Sequence, residues 1–86
     1  DNYVLVYYQS YQKTEKYILR NTLKNLENNL RPYNLMRCHR SYIVNPLNVS
    51  SQTKTAKGLS LQLKTSPEIV IPVSKPYVSE FQKQFK

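Results

Sequence analysis

The chain of 86 residues contains one glycine, one cysteine, one histidine and five acidic residues, and each scarcity removes a class of chemistry. With Gly58 as the only glycine, no glycine-rich loop can wrap its amides around a nucleotide phosphate. A lone Cys38 has no partner for an internal disulfide; an unpaired thiol suits a reducing compartment, so the expected location is the cytoplasm. The acids Asp1, Glu15, Glu27, Glu68 and Glu80 are scattered, and no two sit close enough in sequence to act as an acid–base pair. One cysteine and one histidine fall short of the three or four ligands that a zinc site takes. Neither a metal nor a cofactor is expected. Apolar runs are also short. None approaches the roughly 20 residues of a membrane helix, and no basic-then-apolar leader is seen.

What the chain has instead is positive charge. Thirteen Lys and Arg stand against five Asp and Glu, a net charge of +8. In a small domain such a balance favours a polyanionic partner, nucleic acid ahead of an anionic membrane surface. The hydrophobic fraction of 40% supports one domain with a single modest core. The chain begins at Asp1 and is strand-like by Tyr3, which points to a piece of a longer protein.

The patterning is mainly that of strands. YVLVYY (residues 3–8) is β-branched and aromatic on both alternating faces, as in a strand covered on two sides, and KYILR (16–20) is its return strand. NTLKNLENNLRP (21–32) changes period: Leu23, Leu26 and Leu30 make one stripe of a helix about three turns long. Asn21 or Thr22 can cap its start, and Pro32 should end it. Beyond it, LMRCHRSYIVN supplies one or two strands, LNVSS another, and QTKTAKG a polar turn. In LSLQLK the leucines Leu59, Leu61 and Leu63 alternate with polar residues and should face inward. IVIPVSK is a last strand whose Pro72 marks an edge or bulge. Tyr77, Phe81 and Phe85 fall at helical spacing in a short terminal helix. The class is mainly β, antiparallel, with one short helix and this terminal one. Tyr3, Tyr7, Tyr17 and Tyr42 lie where the pattern needs them for the core.

The stretch MRCHRSYIVNP (36–46) places Cys38 beside His39 between two arginines. A cysteine nucleophile needs a base within hydrogen-bond reach. Neighbours on a strand point to opposite faces, so these two side chains diverge, and there is no second histidine. Cys38 is therefore read as a small buried hydrophobe and His39 as a hydrogen-bonded structural residue. No enzyme activity is expected. Attention passes to Arg37 and Arg40.

RCHRSYIVN (37–45), followed by IPVSKPY (71–77), resembles the LytTR family of bacterial DNA-binding domains. DNYVLVYY, TLKNLENNL and the closing strand fall in the same order, so the likeness covers essentially the whole chain. The resemblance implies an elongated sandwich of antiparallel strands that reads duplex DNA through loops, entering successive major grooves. It also implies the output domain of a two-component response regulator, often bound as two copies on adjacent sites. A receiver or sensor would then lie N-terminal to residues 1–86, which form a single domain. The family's first strand, which normally precedes the Asn-Tyr element, is missing.

Carried over by position, the resemblance assigns DNA contact to Asn2 and Tyr3, to Arg40, and to Lys75 with Ser74 beside it. A planar guanidinium at Arg40 can hold O6 and N7 of guanine together, worth roughly 1–3 kcal/mol against the wrong base. At the place of Lys75 the family often has arginine. Lysine is a point charge without that fork, which favours a phosphate role. Arg37 should pack or bond backbone. Lys13, Lys54 and Lys57 are phosphate neutralisers by charge alone, the last two equally a solvated loop. Two other readings stay open: single-stranded nucleic acid stacked on a tyrosine-rich sheet, and a peptide captured along a sheet edge.

Overall fold

The computed structural model describes residues 3–11, 13–65 and 67–84. Its first unit is a hairpin of β1 (Tyr3–Ser10) and β2 (Lys13–Arg20), paired antiparallel from Tyr3↔Arg20 to Ser10↔Lys13. Directly opposed residues share a face. Val4, Val6 and Leu19 lie on the half-buried face, whereas Tyr3, Leu5, Tyr7 and Ile18 share the exposed one. The hairpin is thus covered on one side only, and the expectation of a strand enclosed on both faces fails. An apolar run on both faces gives no information about which face finds a neighbour. The tyrosines expected in the core are exposed as well: Tyr3 and Tyr7 lie on that open face at 65% and 51%, Tyr17 is 56% exposed although it opposes Val6, and Tyr42, beyond the hairpin, is 41% exposed.

Next comes α1 (Leu23–Leu30), two turns rather than three. Thr22 caps it, its hydroxyl accepting from the Asn25 amide at 3.2 Å and satisfying one of the free amides of the first turn. α1 ends at Leu30, just ahead of Pro32, as expected. Pro32 itself sits within a 3-10 turn (Arg31–Tyr33), which ends where Asn34 takes a left-handed φ of 65°.

The rest is β until the last helix. β3 (Met36–His39) and β4 (Tyr42–Val44) form a second hairpin with a register shift between Arg37 and His39. β5 (Val49–Thr55), β6 (Gly58–Leu63) and β7 (Val70–Ser74) make a three-stranded antiparallel sheet in that order. β5 takes up most of the stretch expected as a polar turn, leaving only Ala56 and Lys57 between the strands. Pro72 lies exposed on β7, an edge strand, where its missing N–H costs no ladder bond. α2 (Lys75–Gln84) follows without a loop. Phe85, expected as its third apolar position, lies outside the described residues.

Cys38, Val44, Val49, Leu59, Leu61, Ile71, Val73 and Phe81 form the core, drawn from every one of β3 to β7 and from α2. Leu63 packs at its margin, so the inward alternation of Leu59, Leu61 and Leu63 holds. Phe81 and Leu61 are fully buried, each worth about 1.5–3 kcal/mol of removal from water. Among the described residues the architecture is mainly β and antiparallel with two α-helices, measuring 31 × 28 × 23 Å. No helix among the described residues is long and apolar enough to cross a membrane.

Candidate nucleic-acid interface

Two residues, Arg40 and Ser41, turn the chain between β3 and β4. The turn is held from beneath by its neighbours. Arg37 Nε donates to the His39 carbonyl at 2.8 Å and Arg37 Nη2 to the Arg40 carbonyl at 2.6 Å. Its third nitrogen, Nη1, donates to Glu27 Oε1 on α1 at 3.2 Å. The Ser41 amide donates to His39 Nδ1 at 3.0 Å, and the imidazole stands edge-on to Tyr42 with ring centres 5.4 Å apart. His39 is therefore a turn-holding residue. The Arg40 side chain, in contrast, is exposed and makes no hydrogen bond or ion pair among the described residues. One arginine is consumed by the scaffold and the other is left for a partner.

Cys38 lies beneath this turn, fully buried, its thiol directed at the Tyr42 carbonyl at 3.8 Å. Burial pushes the thiol up to about 12, against weaker opposing effects of a backbone hydrogen bond and the Arg37 charge. A thiolate is scarce at neutral pH in such surroundings, so the sulfur is packing. Among the described residues no three His, Cys, Asp or Glu side chains come together as a metal cage.

A second group of cations gathers at one end of the three-stranded sheet. Thr55 pairs with Gly58 and Gly58 with Ser74, so the Ala56–Lys57 turn lies beside the β7–α2 junction. The approach is close. A Cβ on Gly58 would fall 2.0 Å from the Val73 carbonyl oxygen and 3.3 Å from the Lys75 nitrogen, and its φ of 142° suits glycine alone. Lys54, Lys57 and Lys75 are all exposed here, with half-buried Ser74 among them. Lys75, read from the sequence as the end of the strand IVIPVSK, is instead the first residue of α2, where the helix dipole adds to its positive field. β3 packs against β7 and α2, so the elements that carry Arg40 and Lys75 share one core.

The remaining candidates are dispersed. Tyr3 sits at the open end of the first hairpin and Lys13 at its turn end, roughly 24 Å apart by strand rise. Gln9 Nε2 donates to the Lys64 carbonyl at 2.8 Å, which ties that turn end to the end of β6 remote from Lys75. Lys13 is exposed but does not join the Lys75 group. Asn2 lies outside the described residues. Sequence reasoning missed Arg20, an exposed cation directly across from Tyr3. The hairpin register, once written out, would have found it.

These features define a class: a small β domain offering uncommitted cations from turns and strand ends. The family model of the LytTr DNA-binding domain matches residues 1–86, the whole length. The chain belongs to the LytTR family of DNA-binding domains, which is not a family of enzymes. Comparison with curated proteins and with solved structures gave no match.

Proposed function

We propose that this domain binds duplex DNA sequence-specifically to regulate transcription. Arg40 reads a guanine edge in the major groove, and Lys75, Ser74, Lys54 and Lys57 hold phosphates on one flank. Asn2, Tyr3 and Lys13 contact the duplex elsewhere. The observation that carries this reading is the state of Arg40: exposed at the tip of a braced turn, with its five N–H donors unspent among the described residues. Phosphate contacts set register and base contacts select sequence, so a free arginine on a braced turn, with several lysines elsewhere, divides the labour as duplex readers do. Family membership supports the remaining parts of the proposal. The domain is the output half of a cytoplasmic two-component response regulator, and two copies occupy adjacent sites.

One observation favours a second reading. Tyr3 and Tyr7 share an exposed face with Lys16 and Arg20, a combination on which single-stranded bases could stack. Competition between duplex and single-stranded oligonucleotides of one sequence, selected from a randomised pool, separates the two. Duplex preference supports the proposal. Preference for the single strand sinks it in favour of the tyrosine face, and indifference to both favours a peptide partner along a sheet edge.

A further inference from the structure

α1 offers no side chain to DNA in the interface described above, yet one of its side chains holds the arginine that braces the Arg40 turn. Glu27 splits its carboxylate: Oε2 lies 3.6 Å from Arg31 Nη2 along the helix, and Oε1 accepts from Arg37 Nη1 at 3.2 Å. The two pairs differ in kind. The Arg31 side chain is 71% exposed, so water screens that contact and little energy rests on it. Arg37 is only 15% exposed and Glu27 29%, so their pair is sheltered and charge-assisted.

What the sheltered pair controls is orientation. Arg37 holds two successive carbonyls, those of His39 and Arg40, with Nε and Nη2. A guanidinium is planar, so fixing Nη1 on Glu27 fixes the direction in which the other two donors point. Released from Glu27, the head could turn towards water or a DNA phosphate and leave both carbonyls. The backbone from which Arg40 projects would then lose its brace. Bidentate reading of a base tolerates little such looseness, whereas attraction to phosphate tolerates much.

We propose that Glu27 is a positioning residue for sequence selection: through Arg37 it sets the direction in which Arg40 meets the base. The proposal rests on the Arg40 reading given above. It makes an unusual demand of an acidic residue in a DNA-binding domain. Removing Glu27 raises the net positive charge by one, which by electrostatics alone strengthens binding to every duplex. Positioning requires the opposite for the selected duplex.

The test measures affinity at fixed salt for a duplex selected from a randomised pool and for an unrelated duplex, with circular dichroism to confirm folding. Glu27→Ala is expected to lower the ratio of selected to unrelated affinity about fivefold, while affinity for the unrelated duplex stays level or rises. Glu27→Gln retains an oxygen able to accept from Arg37 and should keep most of the ratio. Arg37→Lys holds net charge constant but cannot serve three acceptors with one planar head, and should lower the ratio as Glu27→Ala does. In an Arg40→Ala background, Glu27→Ala should leave the ratio where it is. Equal strengthening of both duplexes by Glu27→Ala, with Arg40→Ala still lowering the ratio, overturns the proposal alone. An Arg40→Ala that leaves the ratio unchanged overturns the Arg40 reading, and this proposal falls with it.

Discussion

Arg37 Nη2 donates to the carbonyl oxygen of Arg40 at 2.6 Å, and Arg37 Nε to that of His39 at 2.8 Å. Two arginines in one short stretch therefore have opposite employments. The first spends its donors inside the turn, and the second, exposed, keeps its own for a partner. In a chain of net charge +8, counting cations does not separate these roles. Hydrogen bonding does.

Lys75 should act through charge. Lys75→Ala is expected to weaken selected and unrelated duplexes by the same factor, and to flatten the dependence of log affinity on log salt by about 0.9. Affinities measured across a salt series test it. Loss confined to the selected duplex would make Lys75 a base reader instead.

Gly58 should be irreplaceable for stability. Alanine there would set its Cβ 2.0 Å from a backbone oxygen, at a φ of 142° that L residues rarely adopt. The expected cost is about 2–4 kcal/mol, a fall in Tm of roughly 10–30 °C for a domain this size. A melt within about 3 °C of the parent would contradict the close approach of β6 to the β7–α2 junction.

Cys38 should show its burial in two ways. At neutral pH it should resist thiol reagents until the protein is denatured. Its pKa rises from 9.0 in the open chain to about 12 when folded, so the protonated thiol is the form the fold prefers. The stabilisation it lends is complete below pH 9 and is lost as the pH rises towards 12. The stability difference between the parent and Cys38→Ala should accordingly stay constant below pH 9 and shrink above it. Denaturant unfolding at a series of pH values checks this, and a constant difference up to pH 11 would count against it.

Much of the fold was legible because its signals are local. Leu59, Leu61 and Leu63 alternate with polar residues, Thr22 stands one position before the leucine stripe of α1, and Pro72 marks an edge. Each depends on neighbours in the chain and survives folding unchanged. Tyr3 and Tyr7 were misread because alternation shows that a strand has two faces without showing what covers them, and Tyr17 because even the sheltered face of the hairpin is only partly covered. Lys75 was assigned to the last strand because nothing before it breaks the pattern, whereas the helix begins at Lys75-Pro76, with proline in the first turn where its missing N–H costs nothing. The brace on the Arg40 turn was partly legible. Arg37 was expected to bond backbone, but its anchor, Glu27, is ten positions away on another element. The gathering of Lys54 and Lys57 beside Ser74 depends likewise on strand register, which composition does not contain.

The most direct measurement of the central claim is the affinity of Arg40→Ala for its selected duplex and for the same duplex with each guanine replaced in turn. If Arg40 reads a base edge, the variant loses about 1–3 kcal/mol on the selected duplex and becomes indifferent to one guanine position, while its affinity for unrelated duplex hardly moves. Equal losses on every duplex, or no loss at all, would contradict the claim that this turn selects sequence.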